Sequence, residues 1–333
     1  MFFLYYLYFT LLFFLIPGID LKLRTILRDG YRPSTSRTYT SIQTRFLKFC
    51  TLYHLEPMPA TELTILRFMT YLTPRVSANS MQVYLAAIRS MHVVNGFSPP
   101  PITTPRIHLA IRSLSQNAPN IKQTFPITFS ILSQFGYLLT DSYNDLALWA
   151  CMNILFFGCL RASELIPAVS QYRDGYLPPQ VCSLQFAVSS YKAVILKVAR
   201  TKTRPKGRNV VLGCSGHELV CPYCTVTRYL CIRGVKDTSK WKGPLFVLRD
   251  GTVLDKSIVR SRQSELLRKL GLPPDKFTTH AYRAGSATQL SMNGFHGIIP
   301  HIGDWSSLCY LRYIRSPLSE LASNALKFIP PGC

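Results

Sequence analysis

The run Leu146 to Leu160, LALWACMNILFFGCL, is apolar nearly all round. A helix without a polar face has to be buried on every side, so the chain must supply enough further elements to enclose it. With 333 residues it is long for one domain and comfortable for two, each able to bury a core. The run emerges directly into Arg161-Ala-Ser-Glu164-Leu165. An arginine with a glutamate three residues on thus stands where a core element meets the surface, either as a surface ion pair or as a cation held for chemistry.

Before this run the pattern is helical and amphipathic. From Ser34 to Leu55 the residues Tyr39, Ile42, Phe46, Phe49 and Tyr53 recur at three- and four-residue spacing, while Arg37, Arg45 and Lys48 lie off that stripe. A second helix from about Ala60 carries Leu63, Leu66, Phe68 and Leu72 and stops near Pro74. The third, from Ser77 or Ser80, turns Met81, Tyr84, Leu85, Ile88 and Met91 inward, keeps Arg89 off the seam and ends at Asn95-Gly96. A short fourth spans about Arg106 to Leu114. Four short helices over residues 30–117 predict an all-α module. The polar, proline-interrupted stretch Asn117 to Thr128 marks a boundary, with a second domain over residues 125–333.

After the buried run the period changes to two. Leu184, Phe186 and Val188, then Val194, Leu196 and Val198, then Val210 and Leu212 predict a three-stranded antiparallel sheet. Its second turn, Thr201 to Arg208, holds Lys202, Arg204, Lys206 and Arg208. Asp250-Gly251 signals a further turn, and Ser257 to Leu270 is a basic helix with Arg260, Arg262, Arg268 and Lys269 on one side and Ile258, Leu266 and Leu267 on the other. The fold class is therefore mainly α, with a small antiparallel sheet in an α+β second domain.

Lys plus Arg number 38 against 16 Asp plus Glu, a net charge of +22. Such an excess calls for a polyanionic partner, nucleic acid by default and anionic membrane as the alternative. Long Lys or Arg runs are absent, so a folded surface carries the charge. Ten cysteines at irregular positions fit reduced thiols and an intracellular compartment better than a disulfide framework. Cys214-x2-His217 and Cys221-x2-Cys224 have a spacing able to close around zinc, although Cys221-Pro222 also suits a plain helix start. Met1 to Ile19 carries no charge, is slightly short for a membrane span and lacks a basic n-region, its first basic residue being Lys22. Residues 1–20 are set aside as an anchor, a signal or a gene-model artefact, and a membrane partner is expected only if they are genuine.

The end of the chain carries His280-Ala-Tyr-Arg283, Gly303-Asp304-Trp305 and Tyr310-Leu-Arg-Tyr313-Ile-Arg315. His280 and Arg283, three apart, share one face of a helical turn. FFGCLRASEL, the basic hairpin, this His-x-x-Arg and WSSLCYLRYIR, in that order, resemble the catalytic domain of the tyrosine recombinases, the phage integrase family. STSRTYTSIQTRFLKFC and SANSMQVYLAAIRSMHVVNGF are similar to the four-helix, SAM-like core-binding domain that precedes it, especially in recombinases of eukaryotic mobile elements.

The resemblance implies an enzyme that cuts and rejoins double-stranded DNA through a 3′-phosphotyrosyl intermediate, without metal or other cofactor, as a multimer on DNA and in the nucleus. Arg161 and Arg283 take the phosphate-binding roles, Glu164 orients Arg161 or holds the local fold, Lys202 is the general acid with Lys206 the fallback, and His280 and Trp305 complete the site. Tyr313 is the nucleophile, with Tyr310 the alternative. Arg37, Arg45, Lys48, Arg89, Arg204, Lys206 and Arg208 are the expected DNA contacts. Two departures from the family pattern favour a rival reading, a decayed or domesticated DNA-binding descendant of a transposon recombinase. Asp304 puts a carboxylate where a phosphate should approach, and Pro300 interrupts an expected helix between Gly294 and Gly303. A type IB topoisomerase shares the chemistry, but nothing here resembles its linker or long N-terminal region.

Overall fold

Five helix starts are fixed by a hydroxyl placed one residue ahead of the first turn. In a computed structural model, which describes residues 17–73, 75–117, 124–168, 179–187, 191–199, 201, 204 and 206–314, the side chains of Thr61, Ser77, Thr104, Thr128 and Ser142 accept from the backbone N–H three residues on. Each such cap contributes about 1 kcal/mol by satisfying an orphan donor. The chain divides between Ile121 and Lys122 into two compact units.

The first unit contains α1 (Pro17–Asp29), α2 (Pro33–Leu52), α3 (Glu62–Leu72), α4 (Ala78–Val94) and α5 (Pro105–Gln116). Its core joins Phe46 and Phe49 of α2 with Ile65, Phe68 and Met69 of α3, Met81, Leu85, Ile88 and Met91 of α4, and Ile107 of α5. Phe46 meets Phe68 nearly edge-on at 5.0 Å, and burying side chains of this size stabilises by about 1.5–3 kcal/mol each. The register of α3 differs from the expected one. The residues Ile65, Phe68, Met69 and Leu72 face the core and Leu63 is 46% exposed, because a helix that starts at Glu62 carries the i, i+3, i+4, i+7 stripe from position 65. Tyr53 lies past the end of α2 and is exposed, and α1 was not foreseen.

His92 is wholly buried in this unit. Its Nε2 accepts the Ala60 N–H at 2.9 Å, and its Nδ1 lies 2.9 Å from the Ile88 carbonyl. These partners fix the neutral tautomer with the proton on Nδ1. Burial holds its pKa below the ordinary 6.5.

The second unit is built on α7 (Tyr143–Phe157), the expected all-apolar helix, buried from Asp145 to Phe156. Around it lie α6 (Phe129–Leu138), α8 (Ala162–Leu165), α9 (Pro222–Ile232), α10 (Lys256–Lys269), α11 (Ala281–Met292) and α12 (Ile299–Gly303). The strands β1 (Leu184–Phe186), β2 (Ala193–Val198) and β3 (Arg208–Gly213) form an antiparallel sheet in chain order. Leu184 pairs with Leu196, and Leu196 with Val210, so buried side chains align across all three strands. Phe186 is 37% exposed rather than inward, and Val188 lies outside the described residues. Gly207 turns the chain into β3 at φ +73°, where a Cβ would stand 2.0 Å from the Val198 carbonyl oxygen, so no other residue fits.

The foreseen turn at Asp250-Gly251 is present, closed by the Leu248 N–H on the Thr252 carbonyl at 2.8 Å. Pro300 does not break a helix: it sits in the first turn of α12, where no amide donor is needed. In α10, Arg262 is committed to Asp145 at 3.0 Å and to Glu265 rather than left to face solvent. Among the described residues no helix is long and apolar enough to cross a membrane. The apolar segment expected over residues 1–20 falls almost wholly outside the described residues.

Candidate active site

The end of α7 and the start of α8 place Arg161. Gly158 closes α7 and Cys159 turns the chain at φ 47°, which brings the Arg161 backbone into position to cap α8. One carboxylate then serves the residue twice: the Arg161 N–H donates to Glu164 Oε2 at 3.1 Å and its Nη1 donates to Oε1 at 2.7 Å. Glu164 is 3% exposed, whereas the Arg161 side chain keeps 15% of its surface open.

Arg208, at the start of β3, approaches the same carboxylate, with Nη2 3.9 Å from Glu164 Oε2. Its Nη1 donates to the Ile302 carbonyl at 2.7 Å and its Nη2 to that of Gly158 at 3.4 Å. Only 9% of this side chain is exposed, which contradicts the expectation that Arg208 contacts DNA. The reason is electrostatic: a buried Glu164 requires more positive charge than the partly open Arg161 supplies. Burial lowers the Arg208 pKa from its ordinary value, with Glu164 and Asp304 opposing that shift.

Arg283, on the first turn of α11, is fully buried. Its Nη1 donates to the Cys159 carbonyl at 2.5 Å and its Nη2 to that of Gly303 at 2.6 Å, while its buried Nε has no partner among the described residues. Trp305 lies over the guanidinium, 3.9 Å from Cζ to ring centroid, and the Tyr313 ring is 5.8 Å from the same carbon. This stacking is possible because Gly303 has no side chain: a Cβ there would stand 1.8 Å from Trp305 Cζ3. Tyr310 lies within a single 3-10 turn, Leu308–Arg312, and Tyr313 directly follows it; both rings pack on Trp305, at 6.0 and 5.4 Å.

His280 precedes α11 and remains exposed, its N–H donating to Thr278 Oγ1 at 3.2 Å. Partial loss of hydration lowers its pKa from 6.5, and the positive charges of Arg283, Lys256 and Arg161 push in the same direction. Its ring is therefore neutral at pH 7 and able to accept a proton. Lys256, the first residue of α10, was missed by sequence reasoning, and nothing in its local pattern singles it out. Loss of hydration lowers its pKa too.

Asp304 is in the left-handed region at φ 56° with its side chain 7% exposed. Arg204 of the β2–β3 hairpin holds it, Nε to Oδ1 at 2.6 Å, and Thr201 Oγ1 lies 3.5 Å from Oδ2. The expectation that this carboxylate opposes an approaching phosphate is corrected accordingly, since its charge is already matched by Arg204. Lys202 itself lies outside the described residues. Lys206 is exposed, as are Arg37, Arg45, Lys48 and Arg89 of the first unit, with Arg45 Nη1 donating to Tyr84 Oη at 2.8 Å.

No family model matches the chain. It is 25% identical over 294 residues to the integrase/recombinase XerD homolog of Selenomonas ruminantium, covering 83% of this chain and 79% of that protein. Among solved structures it is similar to the Tn1549 transposon integrase in complex with circular intermediate DNA (TM-score 0.56, 14% identity, 92% of this chain and 98% of that one). It also resembles a lambda integrase dimer bound to a COC' core site (TM-score 0.56, 13% identity, 90% and 95%) and the XerH site-specific recombinase in its post-cleavage complex (TM-score 0.56, 15% identity, 81% and 70%). The chain thus shares the fold of these integrases and recombinases and is similar in sequence to the XerD homolog.

Proposed function

We propose that the protein is a site-specific recombinase that cuts and rejoins double-stranded DNA through a covalent 3′-phosphotyrosyl intermediate. The observation that carries this reading is the convergence of Arg283, Trp305 and Tyr313, which come from separate segments, within 6 Å of one guanidinium. In this mechanism Tyr313 Oη attacks the scissile phosphorus and gives its proton to His280. Arg161 and Arg283 stabilise the added charge on the non-bridging oxygens. The indole N–H of Trp305 donates to one of them, and Lys202 protonates the departing 5′ oxygen. Rejoining reverses the step: a 5′ hydroxyl attacks the phosphotyrosine, and no external energy source is needed because the phosphodiester bond energy is conserved.

Arg283 takes up phosphate through its free Nε–H and the second N–H of each Nη, once the Trp305 ring yields its stacked position. The partner is duplex DNA, engaged by Arg37, Arg45, Lys48, Arg89, Arg204 and Lys206, with two or more copies assembling for strand exchange on the ends of a mobile element in the nucleus. The two departures that spoke for a decayed copy no longer do so, since Pro300 opens α12 and Asp304 is paired. A nicked suicide substrate tests the reading. The parent protein and Tyr310→Phe should each form a denaturation-resistant DNA adduct that Tyr313→Phe does not; absence of any adduct in the parent overturns it.

A further inference from the structure

Three cysteines that the recombination chemistry does not use come together at the end of β3 remote from Arg208. Cys214 follows β3 directly, its N–H bonded to the Lys192 carbonyl at 2.7 Å as the sheet pairing ends. Cys221 caps α9, its Sγ accepting the Cys224 N–H at 3.4 Å, with Pro222 in the first turn. The helix start therefore accounts for Cys221 and leaves Cys214 and Cys224 without a structural role of their own.

Their sulfurs are nonetheless close: Cys221 to Cys214 is 3.6 Å, Cys214 to Cys224 is 3.9 Å, and all three lie within 4.8 Å of one another. Tetrahedral zinc with bonds of about 2.3 Å to sulfur requires thiolates about 3.8 Å apart. We propose that Cys214, Cys221 and Cys224 bind one structural zinc ion. Cys214 and Cys224 are exposed and Cys221 is buried, so the ion has an entry path and its fourth position faces solvent.

His217, expected as a fourth ligand from spacing, is not in the group. Its Nδ1 accepts the N–H groups of Leu219 and Val220 at 3.2 and 3.1 Å, and its ring packs on Phe129. That shapes the loop so that Cys214 returns to Cys221. The ion would tie the end of β3 to the start of α9 and so anchor the hairpin whose other end carries Arg204 and the proposed acid Lys202. It takes no part in the proposed strand cleavage.

The test is metal analysis of the full chain, expressed with zinc present and purified without chelator. About one zinc per chain should survive dialysis. It should be lost in Cys214→Ser and in Cys224→Ser and kept in Cys231→Ser and Cys309→Ser, two exposed thiols outside the group. Alkylation of the folded parent guards against a variant that fails to fold: zinc should slow modification of Cys214 and Cys224, and a chelator should restore it. Zinc lost on dialysis, zinc retained by Cys214→Ser, alkylation indifferent to chelator, or a Cys214–Cys221 disulfide in its place would each overturn the proposal.

Discussion

Replacing Glu164 by Gln keeps the shape of the side chain and removes its charge. The carboxylate is 3% exposed, accepts two bonds from Arg161 and lies 3.9 Å from the Arg208 guanidinium, itself 9% exposed. At that separation and an effective dielectric of about 20, the lost attraction to Arg208 is about 4 kcal/mol, and Arg208 stays behind as a buried charge. Removing one member of a buried pair typically costs about 3–5 kcal/mol, which for a unit of this size lowers Tm by about 6–20 °C. Thermal unfolding of the full chain at pH 7 measures it. The decisive comparison is Arg208→Met in the Glu164→Gln background, which removes the stranded charge and should recover part of the loss. A Glu164→Gln protein within about 1 kcal/mol of the parent, or additive effects in the double variant, would refute the argument.

Three other perturbations read different parts of the molecule. Gly303→Ala places a Cβ 1.8 Å from Trp305 Cζ3 and should unseat the indole at a cost of about 1–3 kcal/mol; with Trp149 and Trp241 replaced by Phe, unchanged Trp305 emission would contradict this. His92, held neutral with its pKa lowered by burial, contributes stability that is complete above the unfolded value of about 6.5 and is lost as pH falls toward the folded pKa, at up to about 1.4 kcal/mol per pH unit. Denaturant titrations from pH 7 to 5 should show that slope in the parent and a shallower one in His92→Gln. His280, whose pKa is lowered from 6.5, should keep the acid limb of adduct formation below pH 6.5, and His280→Gln should slow cleavage at neutral pH by about 100-fold or more if it takes the tyrosine proton. An unchanged pH profile in His280→Gln would remove it from that role.

Elements with a strong period were legible because one physical rule decides each of them. A run such as Leu146 to Leu160 has no face to give to water, and alternation in Val194, Leu196 and Val198 has no use outside a half-buried strand. Where two rules compete the reading slipped. Apolarity alone groups Leu63 with Leu66, Phe68 and Leu72, without the helix start that sets the phase of α3, and Pro300 resembles a breaker because its place in the first turn of α12 depends on where the chain arrives from Gly294. The family pattern drew attention to Asp304 but not to its partner, since Arg204 is a hundred residues away and nothing local joins them. The cysteine spacing was read with His217 as a ligand, while the loop turns that ring toward its own backbone.

Residue type alone also misranks the cations. Arg161, Arg204, Arg208 and Arg283 carry the same charge, yet their partners divide them into different tasks. Arg208 gives one Nη to Ile302, the other to Gly158 and its charge to Glu164, which leaves a buried Nε and little open surface. Arg204 spends its charge on Asp304 while 63% of its side chain remains open, so it joins the hairpin to the Trp305 segment and still faces outward. Arg161 is aimed by Glu164 and is the more accessible of the two arginines that share that carboxylate. Arg283 is held by two carbonyls, which orient it without neutralising it, and a ring rather than an anion covers it. A guanidinium fixed by neutral acceptors keeps its full charge for a phosphate, whereas one fixed by a carboxylate has already been matched. By that criterion the proposed mechanism draws its strongest field from Arg283 and its readier access from Arg161, with Arg208 keeping Glu164 where Arg161 needs it.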